Sequence, residues 1–239
     1  ECGLLRAAGH TVVSYTRDNA EIAAWPWWRR ILAVCAAFHN PRTAREIARL
    51  AAQTRPDVAH VHNVFPLISP SIYRSLRRAG VPIVQTAHNF RCVCANGLLF
   101  RDGRICHDCL EGHYAACVRA RCFRESRAAS LWYTLIIWWH RRRRTLARHV
   151  HRVIALNTFS RALLVRAGFD QQRITVLPNC ADSGNAGMVD VPDEYVLYVG
   201  RLSDEKGIMT VMRAAARVPD IPIKIAGSGP RASDVRAFI

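Results

Sequence analysis

No uninterrupted apolar run in this 239-residue chain approaches the ~18 residues a membrane-spanning helix needs, so transmembrane anchoring is not expected. Acidic residues are scarce as well: 18 Asp and Glu stand against 34 Lys and Arg, a formal net charge of +16. Such an imbalance points to an anionic partner, whether a nucleotide, an acidic lipid headgroup or nucleic acid. Disorder is excluded by a composition that is 50% hydrophobic and 22% charged. A repeat of solenoid type is missing, which removes the stacked-repeat architectures. No signal peptide accompanies the nine cysteines. A chain this long needs no disulfide staples, and the cytoplasm is the expected compartment.

What is present is an alternation of short apolar strands and amphipathic helices, the pattern of a parallel sheet covered on both faces. Glu1 to Ala8 reads as the last turns of a helix stopped by Gly9, with a strand over Thr11 to Tyr15. Trp25 to Trp28 reads as a loop or helix start packed on a neighbouring helix. Asn40 and Pro41 supply an N-cap and a first-turn proline. The helix they open has Ala44, Ile47, Ala48 and Ala51 as its apolar face and ends at Pro56. A strand from Asp57 to His62 follows, then a helix capped by Ser69-Pro70 and closed by Gly80, then strand Ile83 to Ala87 running into His88-Asn89. Later come a long helix ending near His149, strand Arg152 to Leu156, a helix from Ser160 to Ala167, and strand Ile174 to Leu177.

Residues 183–194 are polar and without periodicity, a linker between a domain over 1–182 and a second from 195 to 239. The first domain carries a cysteine-rich insertion at 90–125. A doubly wound domain opens on a strand and a glycine turn before its first helix, and neither precedes Glu1. The chain is therefore expected to be a fragment.

Ligands of open α/β sheets collect at the carboxyl ends of the strands, which picks out His62, His88, Asn89, Asn157, Asn179 and Arg201. In the insertion, Cys92-x-Cys94 and Cys106-x2-Cys109 have spacings that can close a tetrahedral zinc site, with Cys117 and Cys122 as alternates. Reduced packing thiols or a labile disulfide are the competing readings. Leu131 to Arg144 joins a Trp-rich block to four arginines, the signature of an interfacial helix on anionic lipid. A core helix with a solvated basic end and a phosphate-binding surface for nucleic acid are the alternatives. No nucleic-acid-binding motif accompanies the arginines, and nucleic acid is not an expected partner.

The stretch from Tyr195 to Gly207 runs strand residues into Gly200 and Arg201, then a polar turn, then Lys206-Gly207 opening a helix. Backbone N–H groups, a guanidinium and an ammonium together form a receptor for a diphosphate. A second glycine turn, Gly227-Ser-Gly229-Pro230, follows one βα unit later.

Together these runs resemble the G-R-L-x-x-E-K-G and G-x-G-P motifs of the family 4 glycosyltransferases of GT-B fold. Gly200, Arg201, Leu202, Glu205, Lys206 and Gly207 match the first and residues 227–230 the second. Thr86-Ala-His-Asn89 is similar to the family's N-domain segment, in which a histidine after a strand meets the sugar or places the acceptor. Some family members carry a comparable cysteine insertion.

The resemblance implies an α/β fold of GT-B type, two Rossmann-like doubly wound parallel-sheet domains, both incomplete here. It implies a retaining transfer from a nucleotide-diphospho-sugar to a glycan or lipid-linked acceptor of the cell envelope, without a catalytic cofactor. Arg201, Lys206, Gly200, Gly227 and Gly229 would bind the donor diphosphate, and His62 and Asn89 would line the acceptor cleft. His88 would carry a catalytic role. Composition and the Trp-rich basic helix, apart from the resemblance, lead to an expected location that is cytoplasmic or peripheral on the inner face of the membrane. The family's E-x7-E pair belongs beyond residue 239 and its first glycine loop before Glu1, so this polypeptide alone is expected to be inactive. A GT-B sugar-nucleotide epimerase and a non-catalytic basic binding protein are the other classes in view.

Overall fold

The computed structural model describes residues 1–180 and 194–238, so the expected linker at 183–194 lies, apart from Glu194, outside the described residues. In chain order the elements are α1 (Cys2–Ala7), α2 (Trp27–Ala36), α3 (Pro41–Thr54), β1 (Ala59–Val61), α4 (Ser71–Arg78) and β2 (Ile83–Ala87). There follow β3 (Phe100–Arg101), β4 (Arg104–Ile105), α5 (Tyr114–Arg119), α6 (Arg127–Arg142), α7 (Thr145–His149), β5 (Arg152–Ala155), α8 (Thr158–Arg166) and β6 (Ile174–Val176). The chain then continues with β7 (Val196–Val199), α9 (Ile208–Ala215), β8 (Ile223–Ala226) and α10 (Ala232–Phe238). Residues cluster into two units, one of 1–99 with 106–182 and one of 100–105 with 183–239.

The first unit is built on an all-parallel four-stranded sheet in the order β1-β2-β5-β6. Strands this short hold because β-branched residues fill the space between sheet and helices: Ile83, Val153 and Ile174 pack with Ile47, Ile72, Leu76 and Leu164. The helix starts follow local chemistry. Asn40 accepts from the Thr43 N–H at 3.1 Å and Asn157 from that of Ser160 at 2.7 Å, each satisfying a donor its helix leaves free. At the other end of α3, Arg55 turns left-handed at φ 43° just before Pro56.

Three expectations change. Thr11 to Tyr15 is not a strand, since nothing among the described residues forms a ladder with it. Tyr15 instead donates to the Glu46 carboxylate at 2.5 Å, tying the segment to α3. The face that α3 buries is Thr43, Ile47 and Ala51, a stricter i, i+4, i+8 stripe that leaves Ala48 exposed. The long helix stops at Arg142; Arg144, at φ 51°, reverses the backbone and α7 starts anew.

A second core lies under the cysteine segment between β2 and α6. There Val93, Cys94, Leu99, Cys109, Leu110 and Cys117 pack with Tyr133 and Ile137 of α6. In the second unit β7 and β8 pair in parallel, while Leu202, Ile208, Met212 and Val235 form a small core of their own.

Candidate functional site

Register alone brings the two expected histidines together. β1 and β2 are adjacent and parallel with Val61 opposite Gln85, so the residues that leave their carboxyl ends emerge side by side. His62 Nδ1 lies 2.7 Å from His88 Nε2, and one position on, Asn89 Nδ2 donates to Asn63 Oδ1 at 3.1 Å. Below them Gln85 donates to the His62 carbonyl at 2.8 Å and accepts from the Tyr73 hydroxyl, so the strand end is fixed from behind. His60, two residues earlier on the same face of β1, has its ring centroid 4.3 Å from that of His62, the planes tilted by 40°, and bonds Thr86 Oγ1 at 2.7 Å. The Glu1 carboxylate is 3.0 Å from His60 Nδ1 and 3.6 Å from His62 Nε2.

Burial is the first cause holding the His62 and His88 imidazoles below the usual histidine range, and the neighbouring rings add to it. Both are therefore neutral at pH 7, and a neutral pair has one ring N–H donating and one bare nitrogen accepting. Such a pair can hold, give or take a proton. Both histidines and Asn89 open onto a cavity of about 1300 Å³, also lined by Arg91, Tyr133 and Arg141. That is larger than the ~300–1,000 Å³ typical of small-molecule sites.

Asn157 is occupied as the α8 cap, and Asn179 is exposed.

In the second unit Gly200 and Arg201 follow β7, and Gly207, left-handed at φ 70°, opens α9. Arg201 and Lys206 are exposed, with Arg201 Nη1 3.8 Å from a Glu205 carboxylate oxygen. The two glycine turns pack backbone on backbone. A Cβ on Gly227 would sit 1.9 Å from the Gly200 carbonyl oxygen, and one on Gly229 2.3 Å from that of Leu202. The Gly200 N–H donates to Ala226 O at 3.0 Å and that of Leu202 to Ser228 O at 2.9 Å. Arg231 clamps the pair, donating to both Asp204 oxygens at 2.8 and 3.0 Å.

A family model for Glycosyltransferase Family 4 matches residues 2–184. The chain belongs to that family. No curated protein matches it. Among solved structures it is similar to a UDP-N-acetylglucosamine 2-epimerase from Rickettsia bellii at 12% identity and a TM-score of 0.37. That likeness covers 80% of this chain and 44% of the other, so the chain spans under half of that protein's length. The family match and the all-parallel four-stranded sheet agree on a Rossmann-type α/β fold. No helix among the described residues is long and apolar enough to cross a membrane.

All nine cysteines of this family 4 chain are free thiols, and six of them lie in the cysteine segment. Cys94, Cys109 and Cys117 are buried and stand in series, Cys109 touching the other two thiols. Cys117 first, and burial after it, pushes the Cys109 thiol up to about 12; Cys109 and then burial drive Cys94 up as well. Cys92 faces the cavity, pushed up to about 11 by burial, while Cys106 and Cys122 are half-buried. Among the described residues, ligand atoms that all lie within 4.8 Å of one another belong to Glu1, His60 and His62. Arg141 pins the segment to α6, donating to the carbonyls of Cys109 and Leu110 and to the Tyr114 hydroxyl at 2.9–3.1 Å.

Sequence reasoning passed over His60, Asn63 and Arg141. The His-x-His spacing on a strand was a usable signal for the first, since residues two apart share a face. Arg141 sat within a run of four arginines, and nothing in the run marks one of them as structural.

Proposed function

We propose that this family 4 domain serves a retaining transfer of a sugar from a nucleotide-diphospho-sugar to a polysaccharide or lipid-linked acceptor of the cell envelope, on the cytoplasmic side. The observation that carries the reading is the neutral His62–His88 pair on a large cavity in a chain of this family. In the reaction the bond from the sugar's anomeric carbon to the diphosphate breaks, the acceptor oxygen bonds that carbon, and the acceptor proton passes to the departing phosphate. His88 orients the sugar or acceptor, with His62, Asn63 and Asn89 holding the position of the cleft wall. Arg201 and Lys206 neutralise the charge that grows on the diphosphate, with the glycine turns bringing backbone to it.

The enzyme expressed from its full gene, given a panel of labelled nucleotide-diphospho-sugars and glycolipid extracts, should move label into the acceptor fraction. His88→Ala should lower that transfer by roughly 10²-fold. Release or epimerisation of the donor sugar without transfer would overturn the reading.

We also propose that the cysteine segment holds a structural zinc, with the expected set of Cys92, Cys94, Cys106 and Cys109 altered by taking Cys117, the buried thiol that touches Cys109, in place of Cys92, and with Cys92 and Cys122 as alternates. Its support is three buried thiols in series in a segment with little regular structure. Binding would release the protons those thiols retain.

A further inference from the structure

α6 is inside out for a surface helix. Toward the core it turns Ser130 and Thr134 with Tyr133, Ile136 and Ile137, and toward solvent Leu131, Leu135, Trp138 and Trp139, which are 49, 46, 48 and 38% exposed. The buried hydroxyls are satisfied at short range: the Phe123 N–H donates to Ser130 Oγ at 2.9 Å, and Thr134 donates to the Ser130 carbonyl at 2.8 Å. At 100° per residue, positions 131, 135, 138, 139 and 142 fall on one arc, so the outward apolar stripe ends on Arg142.

Charge completes the pattern. α6 contains no acidic residue, and Arg142, Arg143 and Arg144 are exposed at its carboxyl end. The Arg143 guanidinium lies over the Trp139 ring, 3.9 Å from its centroid. A cation over an indole is the arrangement that places both at the depth where headgroups meet acyl chains. Arg141 takes no part, being spent on the Cys109 and Leu110 carbonyls. Beside α6, Trp132 Nε1 donates to the Val34 carbonyl of α2 at 3.1 Å. α2 itself opens on Trp27 and Trp28, which are 73 and 49% exposed. At 16 residues α6 is about 24 Å long, too short to span a bilayer but suited to lying along one.

We infer that the outward face of α6, Leu131, Leu135, Trp138 and Trp139 with Arg142 to Arg144, docks the protein on a bilayer surface bearing anionic headgroups. An acidic protein partner fits less well. The arginines sit at one end of an aromatic stripe rather than through it, as a surface with charge above and hydrocarbon below requires. The docking does not depend on which sugar is transferred.

The test is flotation with vesicles of phosphatidylcholine alone and of phosphatidylcholine with about one-third phosphatidylglycerol, at low and high salt. The wild-type protein should float with the anionic vesicles and be released by salt. Replacing Arg142, Arg143 and Arg144 together with Gln should weaken partitioning about a hundredfold, and Trp138→Ala with Trp139→Ala roughly tenfold or more. Both variants leave Arg141 and the buried face untouched, so their melting should match wild type. Equal binding to neutral and anionic vesicles, or unchanged partitioning of the triple-Gln variant, would overturn the inference. So would a wild-type dimer by sedimentation equilibrium that the double-Ala variant breaks, because the face would then belong to a second copy.

Discussion

His62 Nδ1 and His88 Nε2 stand 2.7 Å apart at the ends of two neighbouring parallel strands. At that distance one ring must donate and the other accept, so the pair excludes a second proton. Both imidazoles are held below the usual histidine range, by burial first and by ring neighbours second. Titration followed by NMR should place both below an ordinary imidazole, and His62→Ala should raise the value at His88 by removing the neighbouring ring. An unchanged His88 titration in that variant would show that the two rings are not coupled.

The same logic reaches stability. Burial also holds His140 down, to about 4, and lowers His149 and His151. A histidine depressed in the folded state takes up its proton more readily when unfolded. Stability is then full above the unfolded value near 6.5 and falls as pH drops toward the folded value. The melting temperature should decline between pH 7 and pH 5, and His140→Gln should flatten that decline. A melting temperature level across this range would contradict the burial of these rings.

Much of this molecule was legible in its sequence. Asn40-Pro41, Gly80 and Gly168 punctuate helices whose starts and stops are set by backbone chemistry within a few residues. The strand Ile83 to Ala87 was readable end to end, and so was the His88 position beyond it. What could not be read depends on partners distant in sequence. Thr11 to Tyr15 has strand residues but finds a helix carboxylate, and the break at Arg144 needs a left-handed arginine that no composition announces. Arg141 differs from Arg142 only in direction, and direction is decided by a cysteine segment some thirty residues earlier in the chain.

That direction yields a contrast within one run. Arg141→Ala removes donors from two carbonyls and a tyrosine hydroxyl and should cost about 2–3 kcal/mol, as charged hydrogen bonds do. Arg142→Ala, whose side chain is exposed, should stay within about 0.5 kcal/mol. Denaturant melts of the two variants make the comparison, and equal losses would mean that the clamp is not formed.

Zinc in the cysteine segment has its own signature. Protein purified under reducing conditions should carry about one zinc per chain, with Cys94, Cys109 and Cys117 unreactive to thiol reagents until a chelator is added. Cys109→Ser should lose the metal and lower the melting temperature, whereas Cys2→Ser, on an exposed thiol, should do neither. Metal-free protein with all nine thiols titrating in the native state would end the proposal.

The glycine turns of the second unit separate fold from chemistry. Gly227→Ala forces a Cβ to 1.9 Å from the Gly200 oxygen, where the neighbour is backbone and cannot swing aside. Overpacking of this kind should destabilise by about 1–3 kcal/mol or more. Arg201→Ala and Lys206→Ala remove exposed cations and should leave stability alone. If those cations meet charge that grows as the glycosidic bond breaks, each loss should lower kcat by about a hundredfold, near 3 kcal/mol, with little change in donor affinity. Arg201→Lys should also be impaired, because an ammonium cannot reproduce the planar fork. Steady-state kinetics of the enzyme expressed from its full gene, run with and without EDTA, decide the matter. Near-normal kcat in both alanine variants, or activity lost to EDTA and restored by magnesium, would mean that the diphosphate is held by another set of groups.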